Sequence, residues 1–319
     1  MVERQLGFAE AFVDPRMLGA GRLAGLAQVI EWGPIDALAE RLRTGAVGRP
    51  PYPGAAMLRA LYLQALYDLS DPGLEEALLV RLDFRLFCGF TLSERTPDET
   101  TICRFRNAAV AGGLIEAAFA AVNTQLEAKG LMVKKGTLID ASIVSAASHR
   151  PGPAAGPKPA LAREAEASFT RKGGKAFFGW QLHVAVDQGS GLVRRAVVTP
   201  AHVNESAVAD RLVCGDEGAV YADKAYENKH RRQALKARGI KDRIMHRGHK
   251  NQAALPRWQA RRNRLIAPLR APVEGVFGTL KRSYARARSR YCGLAKTAAD
   301  LLRVLTVYNL RRALALRPA

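Results

Sequence analysis

TLIDASIV, residues 137–144, is short, β-branched and apolar, and carries one acid, Asp140, at its centre. Such a run reads as a buried strand, where an ionised carboxylate is costly unless it is paired or bound to metal. Working outward, FGWQLHVAVD (178–187) sets Phe178, Trp180, Leu182, Val184 and Val186 against Gly179, Gln181, His183 and Ala185, a strand with one strongly apolar face. Asp187 to Gly191 is a turn, and LVRRAVVT (192–199) returns as a third strand. AVYAD (219–223) is a fourth strand that ends on Asp223, and IKDRIMH (240–246) is a fifth. NKHRRQALKARG, between those two, is a helix closed by Gly239, and the chain is helical again from about Pro272. The expected class is therefore α/β, a mixed five-stranded sheet flanked by helices.

Residues 1–130 read differently and form an expected all-helical N-terminal domain. Leu58, Leu61, Tyr62, Ala65, Leu66 and Leu69 follow the spacing of one buried helix face. Tyr52-Pro53-Gly54 and Asp71-Pro72-Gly73 supply breaks on either side. Thr96 as cap, Pro97 as first helical residue and Glu99 as the far end of a capping box predict a second helix. Ile115, Ala118, Phe119, Val122 and Leu126 share a face of a third that stops at Gly130. In the second domain, 131–319, the Pro-, Gly- and Ala-rich segment 146–175 has little to bury and reads as a mobile loop. Its cations, among them Arg150, Lys158, Arg163, Arg171, Lys172 and Lys175, either grip DNA or merely decorate an insertion.

The formal charge of +20 is carried unevenly. Residues 224–319 hold 25 Lys and Arg against 4 Asp and Glu, while the first 223 hold 24 against 25. Solubility seldom needs such asymmetry, so nucleic-acid phosphates are the expected partner. No apolar run is long enough to span a membrane, and MVERQLGFAEAF lacks the pattern of a secretory signal. Four dispersed cysteines with no Cys-x-x-Cys pair point to reduced thiols in a cytoplasmic protein and away from zinc.

Asp140 on the first strand, Asp223 after the fourth and Glu274 in LRAPVEGVFGTLKR are carboxylates on three separate elements. Phosphodiester cleavage needs such a set, because two divalent ions held by hard oxygen ligands can activate the nucleophile and stabilise the leaving oxygen. Arg270, Glu274 and Lys281 stand at i, i+4 and i+11, close to one helical line, although Pro272 starts the regular helix after Arg270. Taken singly, each acid also fits a bland role as strand ion pair, turn former or first-turn helix acid.

The order β-β-β-α-β-α-β-α resembles the ribonuclease-H-like core of integrase-type enzymes. LIDASIV, VYADKAY and RAPVEGVFGTLKR are similar to the first-aspartate, second-aspartate and glutamate segments of DDE transposases of the bacterial insertion-sequence-five group, within the insertion-sequence-four-like class. GWQLHVAVD, TPAHVNES, RYCGLAKTAADLLRVLTVYNLRR, PYPGAAMLRALYLQALYDLSDPGLEEAL and TPDETTICRFRN extend the resemblance over nearly the whole chain. The wider class places a tyrosine three residues before the arginine, where this chain has Ala267. The Ala-His-Val-Asn-Glu wording also departs from relatives, so His202 and Asn204 receive no role.

The resemblance implies that Asp140, Asp223 and Glu274 hold two Mg(II) or Mn(II) ions. Lys281 and Arg270, with Arg282, would then lie along the DNA near the cut. The substrate implied is double-stranded DNA, both the terminal inverted repeats and the target, with a homodimer or larger assembly to synapse two ends in the nucleoid. Further cations expected on DNA are Arg104 and Arg106 on the capped helix, and Arg261 and Arg262 beside Trp258; packing roles are the alternative for each. His246 and His249 read as a basic loop, and His183 either lines the site or makes a structural hydrogen bond. A metal-dependent nuclease without strand transfer and a silent DNA-binding descendant remain as other functions.

Overall fold

The computed structural model describes residues 22–42, 51–148, 164–248 and 254–317. The chain forms two compact units, residues 1–128 with 302–319 and residues 129–301.

In the first unit the described helices are α1 (Arg22–Ala27), α2 (Gly33–Glu40), α3 (Gly54–Tyr67), α4 (Asp71–Val80), α5 (Leu82–Cys88), α6 (Glu99–Ala111) and α7 (Leu114–Ala128). Leu58, Leu61, Tyr62 and Ala65 of α3 are buried, as their spacing predicts. Asp71-Pro72-Gly73 opens α4 under a Ser70 cap instead of serving only as a break. The start of α6 also differs from expectation. Its cap is Asp98, whose side chain accepts from the Thr101 N–H, and Thr96 and Pro97 lie outside the helix. Residues 302–319 cluster with these helices, whereas the sequence division assigned them to the second domain. There Arg303 donates to Gln64 at 2.8 Å and Asn309 to Asn123 at 2.8 Å, all four side chains buried.

The second unit is built on one sheet of six strands: β1 (Thr137–Ser145), β2 (Ser168–Lys172), β3 (Lys175–Asp187), β4 (Val193–Pro200), β5 (Ala219–Ala222) and β6 (Lys241–Ile244). Strand β3 pairs antiparallel with β1 on one edge and with β4 and β2 on the other. Strands β5 and β6 continue the sheet beyond β1 in parallel. The order of the five expected strands is as read, in a mixed sheet of ribonuclease-H-like form. The sixth strand, β2, comes from the segment expected to be a loop; of that segment, residues 149–163 lie outside the described residues.

One face of the sheet packs Ile139, Ala185, Val220, Ala222 and Ile244 with Ala209 and Leu212 of α8 (Glu205–Leu212) and Leu235 of α9 (Lys229–Ala237). Helix α10 (Arg257–Arg270), absent from the sequence reading, runs up to Ala271, and α11 (Pro272–Ser283) follows at once. Val273, Val276, Phe277 and Leu280 form its buried stripe, and α11 packs on β1. The last helix, α12, spans Leu294–Leu316.

Candidate active site

Parallel pairing of β1 with β5 ends at Ile139↔Ala222. The next residue in each segment is an acid: Asp140 within β1, and Asp223 immediately after β5 has ended, so both carboxylates directly follow the last paired position of neighbouring strands. Beyond that point β5 stops while β1 runs on to Ser145, where it meets Arg288 in an isolated parallel bridge. The stretch of β1 from Asp140 to Val144 therefore borders a notch where β5 has ended. Both carboxylates thus lie at the ends of paired strands, the usual place for ligands in α/β sheets.

Helices α10 and α11 bring the third acid. Arg270, the last residue of α10, donates from Nη1 to Asp140 Oδ2 at 2.8 Å and from Nη2 to Glu274 Oε1 at 3.2 Å. The first pair is largely buried, with side chains 15% and 18% exposed, whereas Glu274 is 65% exposed. Asp223 caps the short turn Lys224–Tyr226 and lies within the field of the same arginine. Burial pushes the Asp140 carboxyl above its usual range, and the Arg270 charge opposes that rise. Burial works likewise against the Arg270 charge, but Asp140, Asp223 and Glu274 more than offset it. One guanidinium thus faces three carboxylates, and the cluster keeps a net negative charge.

A fourth acid, Glu205, belongs to the same neighbourhood. Its Oε1 accepts from Gln181 Nε2 at 2.7 Å. Burial raises its carboxyl, and the charges of Asp140 and Asp223 push it in the same direction. Tyr226, buried, faces it and has its phenol raised by burial and then by Glu205 and Asp140. Sequence reading missed Glu205 because it follows Asn204, the α8 cap, and so looks like an ordinary first-turn acid.

The set suits a hard divalent cation: the donors are carboxylate oxygens, and Asp140 is a mostly buried acid whose charge requires a counterion. Among the described residues, the compact grouping of potential ligand atoms within 4.8 Å of one another is Cys214, Asp216 and Glu217, not these acids. That grouping is already satisfied by protein cations, since Asp216 pairs with Lys134 and Arg194, and Glu217 accepts from the Cys214 and Gly215 N–H groups.

The family described as "Transposase DDE domain" matches residues 132–310, and one described as a transposase domain matches residues 10–108. The chain belongs to the DDE transposase family. It is thus an enzyme of the class that cuts and joins DNA with the help of divalent metal. In fold the transposase is similar to a piggyBac transposase solved as a synaptic complex with hairpin DNA. The two are 9% identical, with 95% of this chain and 76% of that one covered and a TM-score of 0.51. No single described helix of the transposase is long and apolar enough to cross a membrane.

The other expected site residues separate by their partners. Lys281 and Arg282 are exposed on the last turns of α11, and burial with the nearby Lys172 charge lowers the Lys281 ammonium. Arg104 and Arg261 are exposed. Arg106 is instead engaged with Asp71 through both terminal nitrogens, the longer contact 2.8 Å, which makes it a brace between α6 and α4. Arg262 donates to the Asp242 and Ile244 carbonyls at 2.6 and 2.9 Å, anchoring α10 to β6. His246 is held between Glu227 at 3.1 Å and Arg262 at 3.0 Å; His249 lies outside the described residues. Trp258 is 61% exposed, edge-on to His246. His183 is buried with its Nε2 2.9 Å from the Thr199 hydroxyl, so of its two expected roles the structural one describes it.

Proposed function

We propose that the chain is a transposase of the insertion-sequence-five group that cuts at the ends of an insertion sequence and joins the freed 3′-hydroxyls to target DNA. Asp140, Asp223 and Glu274 are its metal-holding triad, for two Mg(II) or Mn(II) ions. The observation that carries this reading is that Asp140 and Asp223 each directly follow the last paired position of two adjacent parallel strands, with Arg270 joining Asp140 to Glu274.

When bound, the ions supply the Lewis acidity that activates water or a 3′-hydroxyl and offsets charge on the phosphorus oxygens. The chain's own groups provide the setting. Arg270 fixes the Asp140 carboxylate and keeps Glu274 turned toward it. Gln181 holds Glu205 beside the pair. Lys281 and Arg282 on α11, with Arg261 on α10, offer cations to the backbone of double-stranded DNA at terminal repeats and target. Arg106 and Arg262 are left out of that contact set because their guanidiniums are engaged inside the protein. The helical part, residues 1–130, binds ends through Arg104 and supports the dimer or larger assembly that holds two ends together, in the cytoplasm at the nucleoid.

Asp223→Asn is expected to abolish strand cleavage by at least about a thousandfold while end binding persists, since one carboxylate of a shared metal site is lost. Gel assays with labelled end DNA in Mg(II) check this, and cleavage at wild-type rate refutes the triad. Supplying pre-cleaved ends and a second duplex reads strand transfer directly; hydrolysis without insertion would reduce the protein to a nuclease.

A further inference from the structure

Helix α10 is fixed along one side and bare along the other. Its inner side carries the buried Ile266 and polar side chains that tie it to the sheet. Arg262 donates to the Asp242 and Ile244 carbonyls. Asn263 accepts from the His246 N–H at 2.8 Å and donates to the His246 carbonyl at 2.9 Å. Arg270 closes the helix on Asp140. The outer side presents two neighbouring lines. Arg257, Arg261 and Arg264, at i, i+4 and i+7, form an exposed cationic line. Trp258, Leu265 and Leu269, at i, i+7 and i+11, form an apolar line beside it and are 61%, 64% and 45% exposed. Large apolar side chains grouped in water mark an interaction surface.

The helix leads from the carboxylates to a cavity. Lys229, Arg232, His246 and Arg247 are among the residues that line this space of about 800 Å³. Glu227 lines it too, but its carboxylate is already taken by Arg232 and His246, each at 3.1 Å, and Arg232 also pairs with Asp242. Lys229 and Arg247 are exposed and, among the described residues, pair with no carboxylate; the same holds for the three outer arginines of α10. Trp258 stands edge-on to His246 with ring centroids 5.1 Å apart, so the apolar line begins at the cavity wall. From Trp258 to Arg270 the helix rises about 18 Å, the length of about five base pairs.

A second copy of the chain docked on the apolar line would press its own arginines against these, which like charge opposes. Duplex DNA instead offers a phosphate about every 3.4 Å along each strand, with sugars between. We propose that α10 is a track for duplex DNA leading from the cut to the cavity. The backbone lies along Arg257, Arg261 and Arg264, with deoxyriboses against Trp258, Leu265 and Leu269. A phosphate about five to seven base pairs from the cut is held between Lys229 and Arg247. This rests on the transposase reading above and adds a second anchor for DNA, distant from the carboxylates.

The test uses the full chain and labelled end DNA, with Lys229→Ala and Arg247→Ala combined, Leu265→Ser, and the exposed Lys135→Ala before β1 as a control. The double variant should make the slope of log affinity against log salt shallower by about 0.9, one phosphate contact. That difference should vanish on duplexes cut back to about three base pairs on one side of the cut, and persist when the other side is shortened. Leu265→Ser is expected to weaken binding by about tenfold, and Lys135→Ala to change nothing. A wild-type slope in the double variant overturns the anchor. A shallower slope that survives shortening of either side puts the contact elsewhere on the DNA and overturns the track. If Leu265→Ser lowers the mass of the DNA-free chain in sedimentation while DNA affinity holds, the apolar line belongs to a second copy and the track is likewise overturned. If the wild-type chain leaves DNA intact in both Mg(II) and Mn(II), the catalytic reading fails, and the salt slopes still decide whether DNA follows α10.

Discussion

Arg270 concentrates the chemistry of the site in one side chain, because it is the cation that Asp140 and Glu274 share. Removing it leaves a buried acid without a partner, an arrangement that costs more than an exposed ion pair. Arg270→Ala is expected to lower stability in a chelator by about 1–3 kcal/mol, with part of the loss recovered in Mn(II). Urea midpoints with and without the ion check it; an equal loss in both would mean that no cation replaces the guanidinium. His183 yields a second prediction. Burial lowers its imidazole to about 4, so between that value and the ordinary 6.5 the unfolded chain binds a proton that the folded chain refuses. Stability contributed this way is complete above pH 6.5 and falls as pH drops toward 4, by up to about 3 kcal/mol. His183→Gln should flatten that part of the pH–stability curve, and an unchanged acid limb would contradict the assignment.

Elements were legible where a local period sets them and less so at their ends. Helix α6 shows why. Thr96 precedes a proline, which favours extended backbone, and its carbonyl accepts from the Tyr52 hydroxyl at 2.9 Å. The turn therefore opens later, on Asp98, whose side chain accepts from the Thr101 N–H at 2.6 Å. Asp98→Ala is expected to lower the midpoint of chemical denaturation, as loss of a helix cap does, and Thr96→Ala to shift it less. The reverse order would restore the capping box that the sequence resembles. Strand β2 was hidden for another reason: a run of Ser, Thr, Arg and Lys with one Phe has no buried face, and only pairing with β3 makes it a strand. The Phe169–Phe178 contact, with ring centroids 4.8 Å apart, is the cross-strand pair that steadies it. Helix α10 was obscured by Pro268 inside it and by its dense cations.

For the molecule as a whole, the excess positive charge in residues 224–319 predicts steep salt dependence of DNA binding. If five or more phosphates are neutralised, the log–log slope is about −4.5 or steeper. Fluorescence anisotropy across a salt series measures it, and a slope near zero would deny the basic third its role. Residues 302–319, read as part of the second domain, instead cluster with the N-terminal helices, because Arg303 and Asn309 find Gln64 and Asn123 there. No period or motif within one segment carries that information.

By itself the sequence determined the strand order, the helical first part, the basic last third and the identity of Asp140, Asp223 and Glu274 as notable acids. These follow from local patterns of polarity, or from charges standing where charge is costly. Tertiary structure decided what meets what: Arg270 on an acid 130 residues earlier, and Glu205 as a fourth carboxylate. Those outcomes depend on sheet register and on where the helices pack, and a contact between distant segments has no energy until both have been placed.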